Sequence, residues 1–420
     1  MGVLLGCIAD DFTGATDLAG TLVREGMRSV QMIGVPSGPA PDVDAVVVAL
    51  KSRTAPVEEA IAESLAALKW LREAGCCQFF FKYCSTFDST VEGNIGPVAE
   101  AMLDALNSDF TIACPAFPRN QRTVCNGYLF VGNVLLNESG MQDHPLTPMT
   151  DANLVRILAS QSQGTVTLVD YSIVQQGTAA VKEAFVQSRA EDKRFAIIDA
   201  LNDTDLMTIG EACAEMPLIT GGSGVAIGLP NNFRKMGLLE SAEPADRLPK
   251  IEGHAAVLSG SCSRATRQQI DRMSERHPSL KIDPMALAEG PSSIKYALEW
   301  AKSHLPKGPV LIYTSADPEE VQLVQKTLGV QVAGALVEDA MADIAIGLID
   351  AGVRRLVVAG GETSGAVVEA LGIKGLQIGP EIDPGVPWTS DIRKASLLLA
   401  LKSGNFGATD FFTKAFEKLV

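Results

Sequence analysis

Short continuous apolar runs alternate with helical patterns along nearly the whole chain, and this alternation constrains the fold more than any other feature. Strand-like runs fall at residues 2–9, 29–33, 45–50, 78–82, 110–113, 166–169 and 195–199. Between them lie amphipathic stretches such as 57–74, where Ile61, Leu65, Leu68 and Leu71 keep a helical rhythm, and 95–106. Strands that are apolar throughout and separated by helices imply a mostly parallel sheet covered on both faces.

With 420 residues the chain exceeds one ordinary core, so two domains are expected. The pattern breaks into a polar stretch with Pro244 and Pro249, and it resumes at 255–258. The predicted organisation is a first domain at 1–230, a linker at 231–254 and a second domain at 255–420. Each is an α/β unit with a mostly parallel sheet, and the active site is expected in the cleft between them. The turn-rich segment 114–140 reads as an inserted hairpin or loop, and 384–388 reads as a rigid turn.

Bulk chemistry narrows the class. A formal net charge of −15 disfavours nucleic acid and anionic membrane surfaces as partners. An anionic ligand must therefore meet local cations and amides. The eight cysteines are scattered without a CxxC, and no pair of the four histidines has metal-ligand spacing, so a zinc site is not expected. Leu4-Leu5-Gly6-Cys7 imitates a lipoprotein box but lacks a basic region and a long apolar segment. No run approaches the ~20 apolar residues of a membrane span. A cytoplasmic protein is expected, with reduced thiols.

The stretch IADDFTGATD, residues 8–17, sets two adjacent carboxylates, Asp10 and Asp11, between an apolar run and a small-residue turn that opens a helix. Strand, acidic pair and helix start in that order build a ligand site at the carboxyl end of a parallel strand. The plainer alternative is that Asp11 or Thr13 caps the helix. Arg53, Lys82 and Arg122 follow later strand-like runs, with Asp88 and several hydroxyls nearby. That mixture suits a small polyhydroxylated carboxylate: guanidinium for the acid group, carboxylates and hydroxyls for the alcohols.

The second half carries a different set of groups. In AGGETSG, residues 359–365, a strand runs into Gly360-Gly361, and Glu362-Thr363-Ser364 open the next helix. Glycines admit close backbone approach, exposed amides favour anions, and Glu362 is placed to hold a ribose hydroxyl or hydrated magnesium. Ser259–Ser263 and the loop 402–407, which contains Gly404, add two more small polar loops after apolar runs. Three such loops in one α/β domain point to a nucleotide site, without a Walker or protein-kinase signature. Thr220-Gly221-Gly222-Ser223-Gly224 has the wrong spacing for a dinucleotide fingerprint and is read as a loop facing the transferred phosphate or the substrate. Trp388 is read as packing on a base or plugging the domain surface.

Taken together, IADDFTGATD, FKYCSTFDST, GNIGPV, TGGSG, VLSGSCS, AGGETSG, IGPEIDPGVPW and LALKSGNFG resemble the four-carbon acid sugar kinases, most nearly those acting on 3-oxo-tetronate, collinearly along essentially the whole chain. The resemblance implies an amino-terminal sugar-acid domain and a carboxyl-terminal ATP domain. It carries nucleotide binding to Ser259, Gly360, Gly361, Glu362, Thr363 and Gly404, and substrate binding to Asp10, Asp11, Arg53, Lys82 and Asp88. Arg119 and Gln121 depart from its expected pattern.

The expected reaction is ATP-dependent phosphorylation of 3-oxo-tetronate at its 4-hydroxyl, with Asp10 or Asp11 as catalytic base and Mg2+ arriving with ATP. D-threonate or D-erythronate 4-kinase is the alternative within the family. An NAD-dependent sugar-acid dehydrogenase using TGGSG, or a non-catalytic sugar-acid binder, is the alternative outside it. The expected partners are a sugar acid and ATP, with a homodimer as the assembly to test.

Overall fold

The computed structural model describes residues 2–144, 146–240, 245–393 and 396–419. The chain forms two compact units, Met1–Asp246 and Arg247–Val420. Residues 241–244 of the expected linker, Pro244 among them, lie outside the described residues. The expected linker's first residues, 231–235, are helical. Pro230 opens a helix, Leu229–Lys235, that buries Asn232 and Phe233, so the polar run beginning at 231 belongs to the first unit.

In the first unit, β1 (Leu5–Ala9), β2 (Ser29–Ile33), β3 (Ala45–Ala49), β4 (Gln78–Lys82) and β5 (Thr111–Cys114) come first. A separate antiparallel sheet follows, made of β6 (Arg122–Cys125), β7 (Tyr128–Val131) and β8 (Val134–Leu135). Then come β9 (Thr165–Val169), β10 (Lys193–Ile198) and β11 (Leu218–Gly221). The large sheet has the order β2-β3-β1-β4-β11-β5-β10-β9, parallel at every pairing.

Its central strands are buried along their whole length, β1, β3 and β4 included, as strands covered on both faces must be. The lipoprotein-like Leu5-Gly6-Cys7 is the middle of this sheet. After β1 the chain moves to the β2–β3 side; after β4 it moves to the other side. The β1/β4 boundary is thus the topological switch point, where open α/β sheets place their ligands.

The expected hairpin or loop at 114–140 is the β6-β7-β8 sheet. It turns at Asn126-Gly127, both with positive φ, and the buried Asp199 carboxylate accepts from their amides at 2.6 and 2.9 Å.

In the second unit, β12 (His254–Ser259), β13 (Ser279–Lys281), β14 (Val310–Tyr313), β15 (Val353–Ala359), β16 (Gly375–Asp383), β17 (Val386–Asp391) and β18 (Leu398–Lys402) form one sheet. The order is β13-β14-β12-β15-β18-β17-β16, with parallel pairing from β13 to β18 and antiparallel pairing beyond. Here the switch point lies between β12 and β15, whose last residues, Ser259 and Ala359, are in register.

The expected rigid turn shrinks to Pro384-Gly385, a tight connection between β16 and β17. Pro387 and Trp388 are strand residues. Trp388 is wholly buried, donates from Nε1 to the Ala415 carbonyl at 2.8 Å and packs near Phe416, so it is core and meets no base.

Candidate functional site

The carboxylates of IADDFTGATD emerge where β1 ends, and Arg53 reaches them from just beyond β3. Its Nε donates to Asp10 Oδ2 at 2.9 Å, and Nη2 donates to Asp10 Oδ1 at 2.7 Å and to Asp11 Oδ1 at 2.8 Å. Its Nη1 stands 3.6 Å from Asp88 Oδ2. The backbone fixes this fork: the amides of Ser52 and Arg53 donate to the Asp10 carbonyl, and the Asp10 amide donates to the Lys82 carbonyl. Asn94 braces the loop from the other side, its amide nitrogen donating to the carbonyls of Ser52 and Ala55.

The two aspartates differ. Asp10 is nearly buried, and burial raises its carboxyl above the usual carboxylate range, against the pull of Arg53. Asp11 is opposed by burial too, but Arg53, Lys82, the Thr13 hydroxyl and the Gly14 amide together hold it below that range. Asp11 is also the N-cap of the helix Phe12–Arg24, accepting from Gly14 N at 2.9 Å and Thr13 Oγ1 at 2.8 Å. Capping and site-building are the same act here. Gly14 leaves room for both neighbours: a Cβ there would lie 2.3 Å from Asp11 Oδ1 and 3.1 Å from Lys82 Nζ.

Lys82, last in β4 and buried, donates to the Tyr83 carbonyl at 2.8 Å. Asp88 accepts from Thr86 Oγ1 at 2.6 Å. Cys84, bonded to the same hydroxyl at 2.9 Å, is pushed up to about 12 by burial and so is a neutral thiol. Arg122 stands apart from the Arg53 fork. Its Nη1 donates to its own loop at Asn120 O, and burial lowers its basicity while Cys84, Asp88 and Asp17 act on it electrostatically. Arg119 turns outward to Asp203 at 2.7 Å.

The TGGSG loop differs from expectation. It is buried throughout, and its glycines serve close packing. Cβ atoms on Gly221, Gly222 and Gly224 would lie 2.4, 2.7 and 2.3 Å from the carbonyls of Cys114, Pro115 and Ala116. Ser223 donates to Asp17 Oδ2 at 2.5 Å, tying this loop to the helix that Asp11 caps.

In the second unit the three small polar loops converge. Gly360, with φ 125°, precedes the helix Gly361–Ala370, and its amide donates to the Lys402 carbonyl at 2.8 Å. A Cβ on Gly360 would lie 2.9 Å from Thr363 Oγ1, and one on Gly260 would lie 2.3 Å from it. A Cβ on Gly404 would meet Ser261 Oγ at 2.6 Å. The Thr363 hydroxyl therefore faces Gly260 and Gly360 in the interior, and Ser259 Oγ is bonded to Ser315 Oγ at 2.9 Å; neither hydroxyl faces solvent. Gly361 and Glu362 are the exposed members, and nothing lies within 4 Å of a Cβ built on Gly361. The Gly404 carbonyl accepts from Ser263 Oγ, Thr266 Oγ1 and Lys402 Nζ. Sequence reasoning reaches Lys402 only as the start of the 402–407 loop and does not single out Thr266, although the apolar run before Lys402 marks it as a buried strand end.

These features define a two-domain α/β protein with a charged cluster at one switch point and a glycine-loop cluster at the other. A sugar-binding N-terminal domain model matches residues 5–229, and a nucleotide-binding C-terminal domain model matches 256–412. A Burkholderia multivorans protein named 3-oxo-tetronate kinase is 61% identical over 99% of this chain and 97% of its own. A Cupriavidus necator protein of the same name is 60% identical over the same shares. A solved Salmonella typhimurium structure, described as a putative tRNA synthase, superimposes with a TM-score of 0.89 at 44% identity, covering 99% of each chain. The chain belongs to the four-carbon acid sugar kinase family.

Proposed function

We propose that this protein phosphorylates 3-oxo-tetronate at its 4-hydroxyl, using MgATP. The observation that carries the reading is full-length identity of up to 61% to proteins bearing the 3-oxo-tetronate kinase name. The Asp10–Asp11–Arg53 cluster and the 360–363 and 404 loops supply chemistry that fits it. The cations Arg53, Lys82 and Arg122 offset the acid group in a chain whose net charge is −15.

Asp11 is the base. Its side chain is 26% exposed against 7% for Asp10, and it is held ionised, so it can orient the acceptor hydroxyl and take its proton late in transfer. Asp10 anchors Arg53, which leaves Asp88 and Arg122 to position the acid. In the second unit, Gly361 gives the nucleotide backbone amides with no side chain in the way. Glu362 is the carboxylate suited to hold magnesium through water; the ion comes with ATP and supplies charge neutralisation on the phosphates.

Among the described residues no helix is long and apolar enough to cross a membrane; a cytoplasmic enzyme is the reading we adopt. Mass spectrometry of the acid after incubation with MgATP tests the proposal. Gain of one phosphoryl group on 3-oxo-tetronate is expected, and an unmodified acid with intact ATP contradicts it.

A further inference from the structure

Asn94 belongs to GNIGPV, residues 93–98, and stands at the start of the helix Ile95–Ala105. Asparagine is a favoured cap there, yet its side chain makes no cap bond. The helix does not need one. The Gly96 amide donates to Gln161 Oε1 at 3.1 Å, and Pro97 has no amide hydrogen to offer.

The side-chain amide is spent elsewhere. Nδ2 donates to the carbonyls of Ser52, Ala55 and Arg53 at 2.8, 2.9 and 3.4 Å, so one group grips the loop that carries the Arg53 fork. Oδ1 is buried without a partner among the described residues, in a residue only 7% exposed. An unpaired buried acceptor is unfavourable, so stability alone explains the asparagine poorly. Asn94 lines the same cavity as Asp10, Arg53 and Asp88. Ser89, beside Asp88, donates at 3.1 Å to the Gln161 oxygen that Gly96 also uses, so both walls of that cavity hang on one helix start.

We propose that Asn94 is a positioning residue of the acid site: its amide holds the 52–55 loop so that Arg53 spans Asp10 and Asp11, and turnover of the acid depends on that hold. Asn94 acts through Arg53 and touches no reacting atom. The inference rests on the sugar-acid kinase reading above.

Asn94→Ser tests it, because serine also caps a helix but is too short to grip the loop carbonyls. A crystal structure of Asn94→Ser is expected to show the guanidinium off at least one of the two aspartates; an intact fork overturns the proposal. In coupled ADP release, kcat/KM for 3-oxo-tetronate is expected to fall about tenfold or more, the scale of a misplaced site group, while KM for ATP holds. In the Arg53→Lys protein the same change is expected to cost less than about twofold, since the fork is already lost. A full tenfold cost in both backgrounds, or a lower Tm with kcat/KM unchanged, overturns the proposal. Asn94→Thr carries the same expectations and replaces the serine variant if that one does not fold. Wild-type protein that turns over no four-carbon acid overturns the kinase reading, while the crystal structure still tests the hold on Arg53.

Discussion

Arg53 and Asp10 form a two-point pair across 43 residues of chain, with Nε on one carboxylate oxygen and Nη2 on the other. The same Nη2 also reaches Asp11, so one guanidinium fixes both aspartates. A lysine cannot reproduce that fork.

Arg53→Lys therefore keeps the charge and loses bonds. Urea unfolding should show a loss of roughly 1–3 kcal/mol, the scale for hydrogen bonds to charged groups. KM for the acid should rise while ADP affinity stays put. An unchanged KM would remove Arg53 from the substrate site.

Asp11→Asn should lower kcat by about 100-fold or more, the usual scale of acid–base catalysis. Asparagine still caps the helix but loses the charge that Arg53 and Lys82 hold, so unfolding should shift by no more than roughly 1–3 kcal/mol. A near-normal kcat would shift the base role to Asp10 or Asp88.

Lys402 sets a pH dependence of known sign. Its folded value, about 7, lies below its ordinary one, so its contribution to stability is present at high pH and lost as pH falls towards 7. Between about pH 10 and 7, wild type should lose stability relative to Lys402→Met. Parallel Tm curves for the two proteins would contradict this.

Gly361 and Gly260 separate binding from folding. Gly361→Ala adds a methyl into open space, so Tm should hold while ADP binding weakens. Gly260→Ala drives a Cβ to 2.3 Å from Thr363 Oγ1 and should cost roughly 1–3 kcal/mol of stability. Full ADP affinity in Gly361→Ala would mean that the nucleotide does not approach there.

Fully buried parallel strands were legible because both faces are apolar, and β3 and β4 fall where the pattern places them to within a residue. The acidic pair was legible because it interrupts such a run. The β16–β17 hairpin was not, since Pro380, Pro384 and Pro387 break a strand pattern that only its tertiary partners restore. The tie between Asp17 and Ser223 spans 206 residues and leaves no local signal. TGGSG misled for a related reason: a glycine needed for close packing looks the same in sequence as one needed for a phosphate. Lys402 was legible only as the start of a polar loop, because its bond to Thr266 spans 136 residues.

The most direct test of the account is kcat/KM from coupled ADP release with MgATP, measured for 3-oxo-tetronate, threonate and erythronate in both enantiomeric forms. The account expects 3-oxo-tetronate to be turned over with a clear preference over every other acid. ADP release with none of them, or equal turnover of all, would contradict it.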